Sequence, residues 1–151
     1  MTDIFIMKLD QIQPSQLFIS SDKLNNVLRD YDRFKPELVE PLPVKKLGKR
    51  VVLTDGHTRA LAVFLRGALE ARVYWDEEEL DEDAYKTCVT WCRKEGVTSI
   101  PDLKDKVVSA EEYDKLWAKR CEKMVRRLDA KRAKTLSVVV DTADQEYLVS
   151  K

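Results

Sequence analysis

The sequence predicts an α+β fold: a small mixed sheet with packed helices, carrying a helical extension at its C-terminal end. Three observations lead there. Short apolar runs alternate with helix-periodic stretches up to about Trp75. One of those runs, Val51-Val52-Leu53, leads into the turn Asp55-Gly56-His57-Thr58-Arg59, and a helix-like stretch follows it. Beyond Ser109 a capping box opens a long segment with an apolar stripe.

The elements follow in order. Phe5 to Leu9 reads as a first strand. Ser21-Asp22 caps a helix in which Leu24, Val27, Leu28 and Tyr31 share a face. Phe34 to Leu42, with Pro36 and Pro41, reads as a loop. Pro43 to Leu47 and Arg50 to Thr54 are two short strands joined hairpin-fashion by Gly48-Lys49. A second helix runs from His57 to Arg66, stopped by Gly67, with Ala60, Leu61, Phe64, Leu65 and Ala68 on one face. Glu70 to Trp75 is a further strand. Asp76 to Asp83 is an acidic run that reads as a solvated loop feeding a helix N-terminus, since it lacks the spacing of a calcium loop.

A helix follows from about Asp81 to Glu95, ended by Gly96. Cys88 and Cys92 fall on one side of it as small core residues, and Tyr85 and Trp91 either pack inward or wall a site. Val97 to Val108, with Pro101, is a connector. The long helix after Ser109 carries Tyr113, Leu116, Trp117, Cys121, Met124 and Leu128 on its apolar side. Lys115, Lys119, Arg126, Lys131 and Lys134 lie away from it, a solvated face or a docking face for nucleic acid or protein. The tail from Thr135, with Val138-Val139-Val140, is an added strand or a mobile end. The expected organisation is thus a core at 1–76, a helical extension at 77–134 and a tail at 135–151.

Composition narrows the function. The chain has 151 residues with 44% apolar content, enough for one packed core. Its 27 basic and 27 acidic residues cancel, which argues against broad nonspecific binding to nucleic acid and leaves room for a local basic face. The three cysteines make no even disulfide framework and suit a reducing cytoplasm. No run reaches the roughly 20 apolar residues of a membrane span, and Asp3 interrupts any signal-like start.

The chemistry gathers in one turn. The chain's only histidine, His57, sits in it. A strand-to-helix junction leaves backbone N–H groups unpaired at the helix start, which favours an anion. Thr58 adds a hydroxyl and Arg59 a planar cation matched to phosphate. Asp55 and Thr58 alone could be ordinary turn and capping residues. Capping needs neither His57 nor Arg59, so the turn reads as a phosphate site formed by Gly56, His57, Thr58 and Arg59. In a catalytic version Asp55 holds Mg²⁺ and His57 donates to a phosphate or acts as acid and base near neutral pH. Glu40 and Asp10 are the remaining candidates for a second acid.

The stretch VVLTDGHTRALAVFLRGALEARVY, Val51 to Tyr74, resembles the core of the ParB/sulfiredoxin-like fold. FIMKLDQIQPSQL, Phe5 to Leu17, resembles that family's opening strand and Pro-containing loop, and EPLPV, Glu40 to Val44, its Pro-apolar strand start. The resemblance covers about residues 5 to 75 and implies a bacterial or archaeal, nucleotide-binding protein. In ParB proteins such a turn holds nucleotide phosphates. In sulfiredoxin the equivalent loop holds ATP phosphates beside a reactive cysteine, and no cysteine stands near this turn. The free-serine-kinase branch has an Asp-Gly-His-His-Arg turn for nucleotide and metal. Asp55, Gly56, His57 and Arg59 match it, with Thr58 in place of the second histidine. That branch carries a catalytic glutamate after the first strand, and Ser15 stands at that place here.

Two functions are therefore expected as alternatives. One is an enzyme, a phosphotransferase or nucleotide hydrolase using ATP, ADP or CTP with Mg²⁺. The other is a binding module without turnover, in which nucleotide sets the C-terminal helices against a DNA or protein partner.

Overall fold

A computed structural model describes residues 3–33 and 40–149. The chain runs β1 (Ile4–Lys8), β2 (Ile19–Ser20), α1 (Ser21–Arg33), β3 (Leu42–Leu47), β4 (Arg50–Leu53), α2 (His57–Leu65), β5 (Glu70–Trp75), α3 (Glu82–Lys94), β6 (Val107–Val108), α4 (Ala110–Tyr113) and α5 (Lys119–Val149). Turns of 3-10 helix occupy Leu9–Gln11 and Ile100–Lys106, and a π-helical turn at Asp114–Ala118 joins α4 to α5. The expected loop from Phe34 lies mostly outside the described residues.

Four strands make one mixed sheet in the order β1-β5-β3-β4. β1 lies antiparallel to β5, with Phe5 opposite Val73. β3 lies parallel to β5 and antiparallel to β4. Leu47 pairs with Arg50 around Gly48-Lys49, and Gly48 takes a φ of 63°, the left-handed conformation such a tight hairpin requires. The small mixed sheet with packed helices is as expected. The parallel β2–β6 pair, Ile19 with Val107 and Ser20 with Val108, is an addition. Two-residue strands show no alternation, so the Val97–Val108 stretch reads as a plain connector in sequence.

α2 is the central helix. Ala60, Leu61 and Ala62 are fully buried, while Leu65 is 41% exposed. Ala62 thus takes an inward position that the single-face pattern gives to Leu65. The cause is packing on more than one side, since α2 touches β5, α1 and the Ile100–Lys106 turn. Each fully buried leucine such as Leu61 contributes about 1.5–3 kcal/mol.

One core cluster runs from Leu9, Ile12 and Leu17 through Val44, Leu53, Leu61 and Val73 to Cys88, Cys92, Ile100, Leu103, Trp117 and Met124. The helices after residue 76 therefore pack into the same core as the sheet. Cys88 and Cys92 face inward together, and burial pushes the Cys92 thiol up to about 12. Leu116, placed on the apolar stripe by its spacing, is 42% exposed. The π turn around it inserts extra rotation and carries it off the stripe. Val138-Val139-Val140 continues α5 rather than forming an added strand, one of its two expected states. From Lys119 to Val149 no Gly or Pro stops the helix. No helix among the described residues is long and apolar enough to cross a membrane.

Candidate functional site

The turn at the end of β4 is built around Gly56. Its φ of 78° is left-handed, and it forms the N-cap of α2 without any side-chain cap. A Cβ added there would stand 2.7 Å from Nη2 of Arg59 and 3.1 Å from Cδ2 of Leu42. The missing side chain thus makes room for the Arg59 guanidinium to fold back over the helix start. Arg59 is held there by Nη1, which donates to the Glu40 carbonyl at 3.2 Å and lies 3.7 Å from the Glu40 carboxylate. Its side chain is 29% exposed, so one edge of the cation faces solvent. Asp55 is exposed, and its Oδ1 accepts the Gly56 N–H at 2.8 Å. Thr58 is half-buried in the first turn of the helix.

His57 does something the sequence does not show. Its ring is buried at 5% exposure, and Nε2 accepts the backbone N–H of Ser15 at 2.9 Å. An N–H can only donate, so the neutral ring carries its proton on Nδ1. Burial lowers the histidine pKa to about 4, and the nearby Asp55 carboxylate opposes this only in part. Around pH 7 the ring is therefore neutral, with Nδ1–H as its remaining donor. The ring ties the Ser15 backbone to the start of α2.

Ser15 comes from the stretch between the Leu9–Gln11 turn and β2, which is largely buried although it forms no regular element. Ile12 and Leu17 are fully buried, and Gln13 and Ser15 nearly so. Buried backbone must find partners. Gln13 donates its N–H to the Val51 carbonyl and accepts from the Leu53 N–H, extending β4 by one bridge. Its side-chain amide donates to the Pro14 and Val97 carbonyls, and Arg93 donates to its Oε1. Ser15 Oγ donates to the Leu53 carbonyl at 2.7 Å and lies 3.4 Å from His57 Nε2. Ser15 and His57 do not form a nucleophilic pair, because the hydroxyl proton goes to Leu53 and Nε2 is taken by the amide. Together they fasten the Pro14 loop to the start of α2.

On the other side of Asp55 lies a cavity of about 680 Å³ bordered by Pro43, Thr54, Tyr74, Asp76 and Tyr85 among others. Thr54 Oγ1 donates to Asp76 Oδ2 at 2.8 Å, and the Tyr85 hydroxyl donates to the Thr54 carbonyl at 3.0 Å. Tyr85 therefore forms a wall beside the turn, whereas Trp91 packs against Trp117 away from it. Glu40 reaches the turn through Arg59. Asp10, exposed in the 3-10 turn after β1, makes no hydrogen bond or ion pair with it. Among the described residues no group of three or more His, Cys, Asp or Glu side chains is placed to hold a metal. Asp55 offers one carboxylate, a donor set that suits Mg²⁺ only when phosphate oxygens complete it.

Ser15, Thr54 and Tyr85 shape the turn; Ser15 carried a signal through its place in the Pro-containing loop and Tyr85 as a candidate wall, while Thr54 carried none. The acidic run behaves as a loop feeding α3. Asp81 caps that helix by accepting the Ala84 N–H, and Arg132 of α5 donates to the same carboxylate, which lowers its pKa.

No protein-family model matches the sequence, and no curated protein matches it. Among solved structures, the chain is similar to the protein Atu1540 from Agrobacterium tumefaciens at 14% identity and a TM-score of 0.45. The match covers 65% of this chain and 51% of that one, so the chain spans about half the length of that protein.

Proposed function

We infer that the Asp55–Arg59 turn binds the phosphates of a nucleotide. The observation that carries this reading is the Arg59 guanidinium, pinned over a left-handed glycine at a helix start that no side chain caps. The unpaired N–H groups of a helix start and its dipole contribute about 0.3–2 kcal/mol to each anionic contact. Arg59 adds a charge-assisted bond of about 1.5–3 kcal/mol. Thr58 offers a neutral hydroxyl of about 0.5–1.5 kcal/mol.

Asp55 sets a condition on this binding. Its carboxylate stands next to the proposed anion and repels it unless a cation lies between them. Asp55 would hold Mg²⁺ there, and the cation would supply the charge that offsets this repulsion, so nucleotide affinity is expected to depend on Mg²⁺. With His57 neutral and its Nε2 occupied, the only ring donor left for a phosphate is Nδ1–H. The geometry favours binding over turnover, which makes the chain a nucleotide-responsive module before it is a phosphotransferase or hydrolase.

Calorimetry with ATP, ADP and CTP, with and without Mg²⁺, tests the reading. Arg59→Ala weakens binding by about 1.5–3 kcal/mol, roughly a tenfold to hundredfold rise in Kd. Asp55→Asn relaxes the Mg²⁺ dependence. Absence of binding by the wild type overturns the site. Phosphate release that Asp55→Asn abolishes restores the enzyme reading.

A further inference from the structure

The chain is neutral as a whole, but one groove is lined by six cationic side chains and no acidic one. Between α3 and α5 runs a groove of about 790 Å³. One side carries Lys115 of the π turn and Lys119, Lys123, Arg127 and Lys131 of α5, a cation at every fourth residue. At about 1.5 Å rise per residue the ladder spans about 24 Å, with about 6 Å between rungs. Lys115 and Lys119 have exposed acidic neighbours in Glu111 and Asp114, contacts that water and salt screen. Lys123, Arg127 and Lys131 make no ion pair among the described residues. Trp91 also lines the groove, with the Arg120 guanidinium carbon 3.9 Å from the centre of its ring. Arg120 adds a sixth cation to the lining.

The composition of the groove selects among anionic partners. Protein–protein interfaces concentrate apolar and aromatic anchors at their centre and are depleted in lysine. Here four of the five rungs are lysine, and the apolar lining is limited to Trp91, Met124 and Leu128. Surfaces that bind nucleic acid are far more cationic and need no apolar centre, because their affinity comes from neutralising phosphates. We propose that the α3–α5 groove binds the phosphodiester backbone of a nucleic acid, without reading its sequence. Such contacts are made by Lys and Arg to phosphate oxygens, and they position the strand without specifying bases. The surface is separate from the Asp55–Arg59 turn and does not depend on it.

The test is fluorescence anisotropy of the full chain with labelled 20-nucleotide single strands and duplexes of arbitrary sequence, over a salt series from about 50 to 200 mM. The wild type binds, and log K falls with log salt at a slope of about −3 to −5, as expected for about four or five neutralised phosphates. The exposed triple variant Lys123→Ala/Arg127→Ala/Lys131→Ala keeps its circular dichroism spectrum, binds at least tenfold more weakly at low salt, and loses about two to three units of slope. Arg59→Ala leaves nucleic-acid binding unchanged. No binding at low salt overturns the proposal, as does a triple variant that binds like the wild type. Polyglutamate displacing the strand as well as unlabelled nucleic acid at equal charge overturns it in favour of an acidic protein partner.

Discussion

Helices α2 and α4 begin in opposite ways. At α4, Ser109 Oγ accepts the Glu112 N–H at 3.1 Å and Glu112 turns its carboxylate back towards Ser109, so the start closes on itself. At α2 only Asp55 turns back on the helix start, and the other polar side chains look elsewhere. Asp55 takes the N–H of Gly56, His57 holds Ser15 and Arg59 reaches Glu40. A helix start that is satisfied internally has a stabilising role only. One whose neighbouring polar groups are committed to surrounding loops keeps its own donors for something external. The comparison also separates two kinds of stability, one local to α4 and one at α2 that ties the Pro14 loop to the core.

His57 gives the largest expected effect, because it holds that tie. Removing the ring in His57→Ala opens a cavity and leaves the buried Ser15 N–H unpaired, a cost of about 2–4 kcal/mol in chemical denaturation. The same residue makes stability depend on pH. Its pKa falls from 6.5 in the unfolded chain to about 4 in the fold. Between these values the unfolded chain takes up a proton and the folded chain does not, so stability is complete above about pH 6.5 and drains away as pH falls towards 4. The contribution amounts to about 3 kcal/mol at most. Denaturation midpoints measured across that window should slope for the wild type and slope less for His57→Ala, the difference between the two isolating this ring from the carboxylates. Equal slopes would mean that the ring is not buried neutral.

Gly56→Ala comes next. A left-handed residue with a Cβ costs about 1–2 kcal/mol, and here the new carbon also meets the Arg59 guanidinium and Leu42. Arg59 has to leave the helix start. Loss of stability and loss of nucleotide affinity are therefore expected together. Stability lost with affinity intact would show that Arg59 does not need its place over Gly56.

Periodicity made much of this legible. β3, β4 and β5 show strand patterns bounded by turn residues, and Gly48 and Asp81 mark a hairpin and a helix start at their true places. The Asp55–Arg59 turn also stands where a strand meets a helix, as its residue types require. The rest depends on contacts between distant parts of the chain. Gln13 and Ser15 are buried because β4 and α2 supply partners for their backbone, and nothing near Pro14 signals that. His57 looks like a titrating group in sequence because its burial is caused by a residue 42 positions away. The π turn at Asp114–Ala118 shifts the helix phase without any change in composition, so Leu116 cannot be recognised as an outward residue from spacing alone. Of the cation ladder, Lys115, Lys119 and Lys131 are legible in the sequence; Lys123 and Arg127 line the groove in place of Arg126 and Lys134, which follows only from α3 lying beside α5.

The smallest effects sharpen the comparison of the two helix starts most directly. Ser109→Ala removes a working cap and should cost about 1 kcal/mol of stability, with nucleotide binding unaffected. Thr58→Ala lies at the equivalent end of α2, yet its hydroxyl caps nothing. It should leave stability within about 0.5 kcal/mol of the wild type, as for substitutions that remove no buried contact. Its cost appears in nucleotide affinity, about 0.5–1.5 kcal/mol for a neutral hydroxyl on phosphate. Paired denaturation and calorimetry on the two variants should therefore give opposite patterns. If Thr58→Ala destabilises the fold as Ser109→Ala does and spares binding, α2 is capped like any other helix and the anion site at its start is lost from the argument.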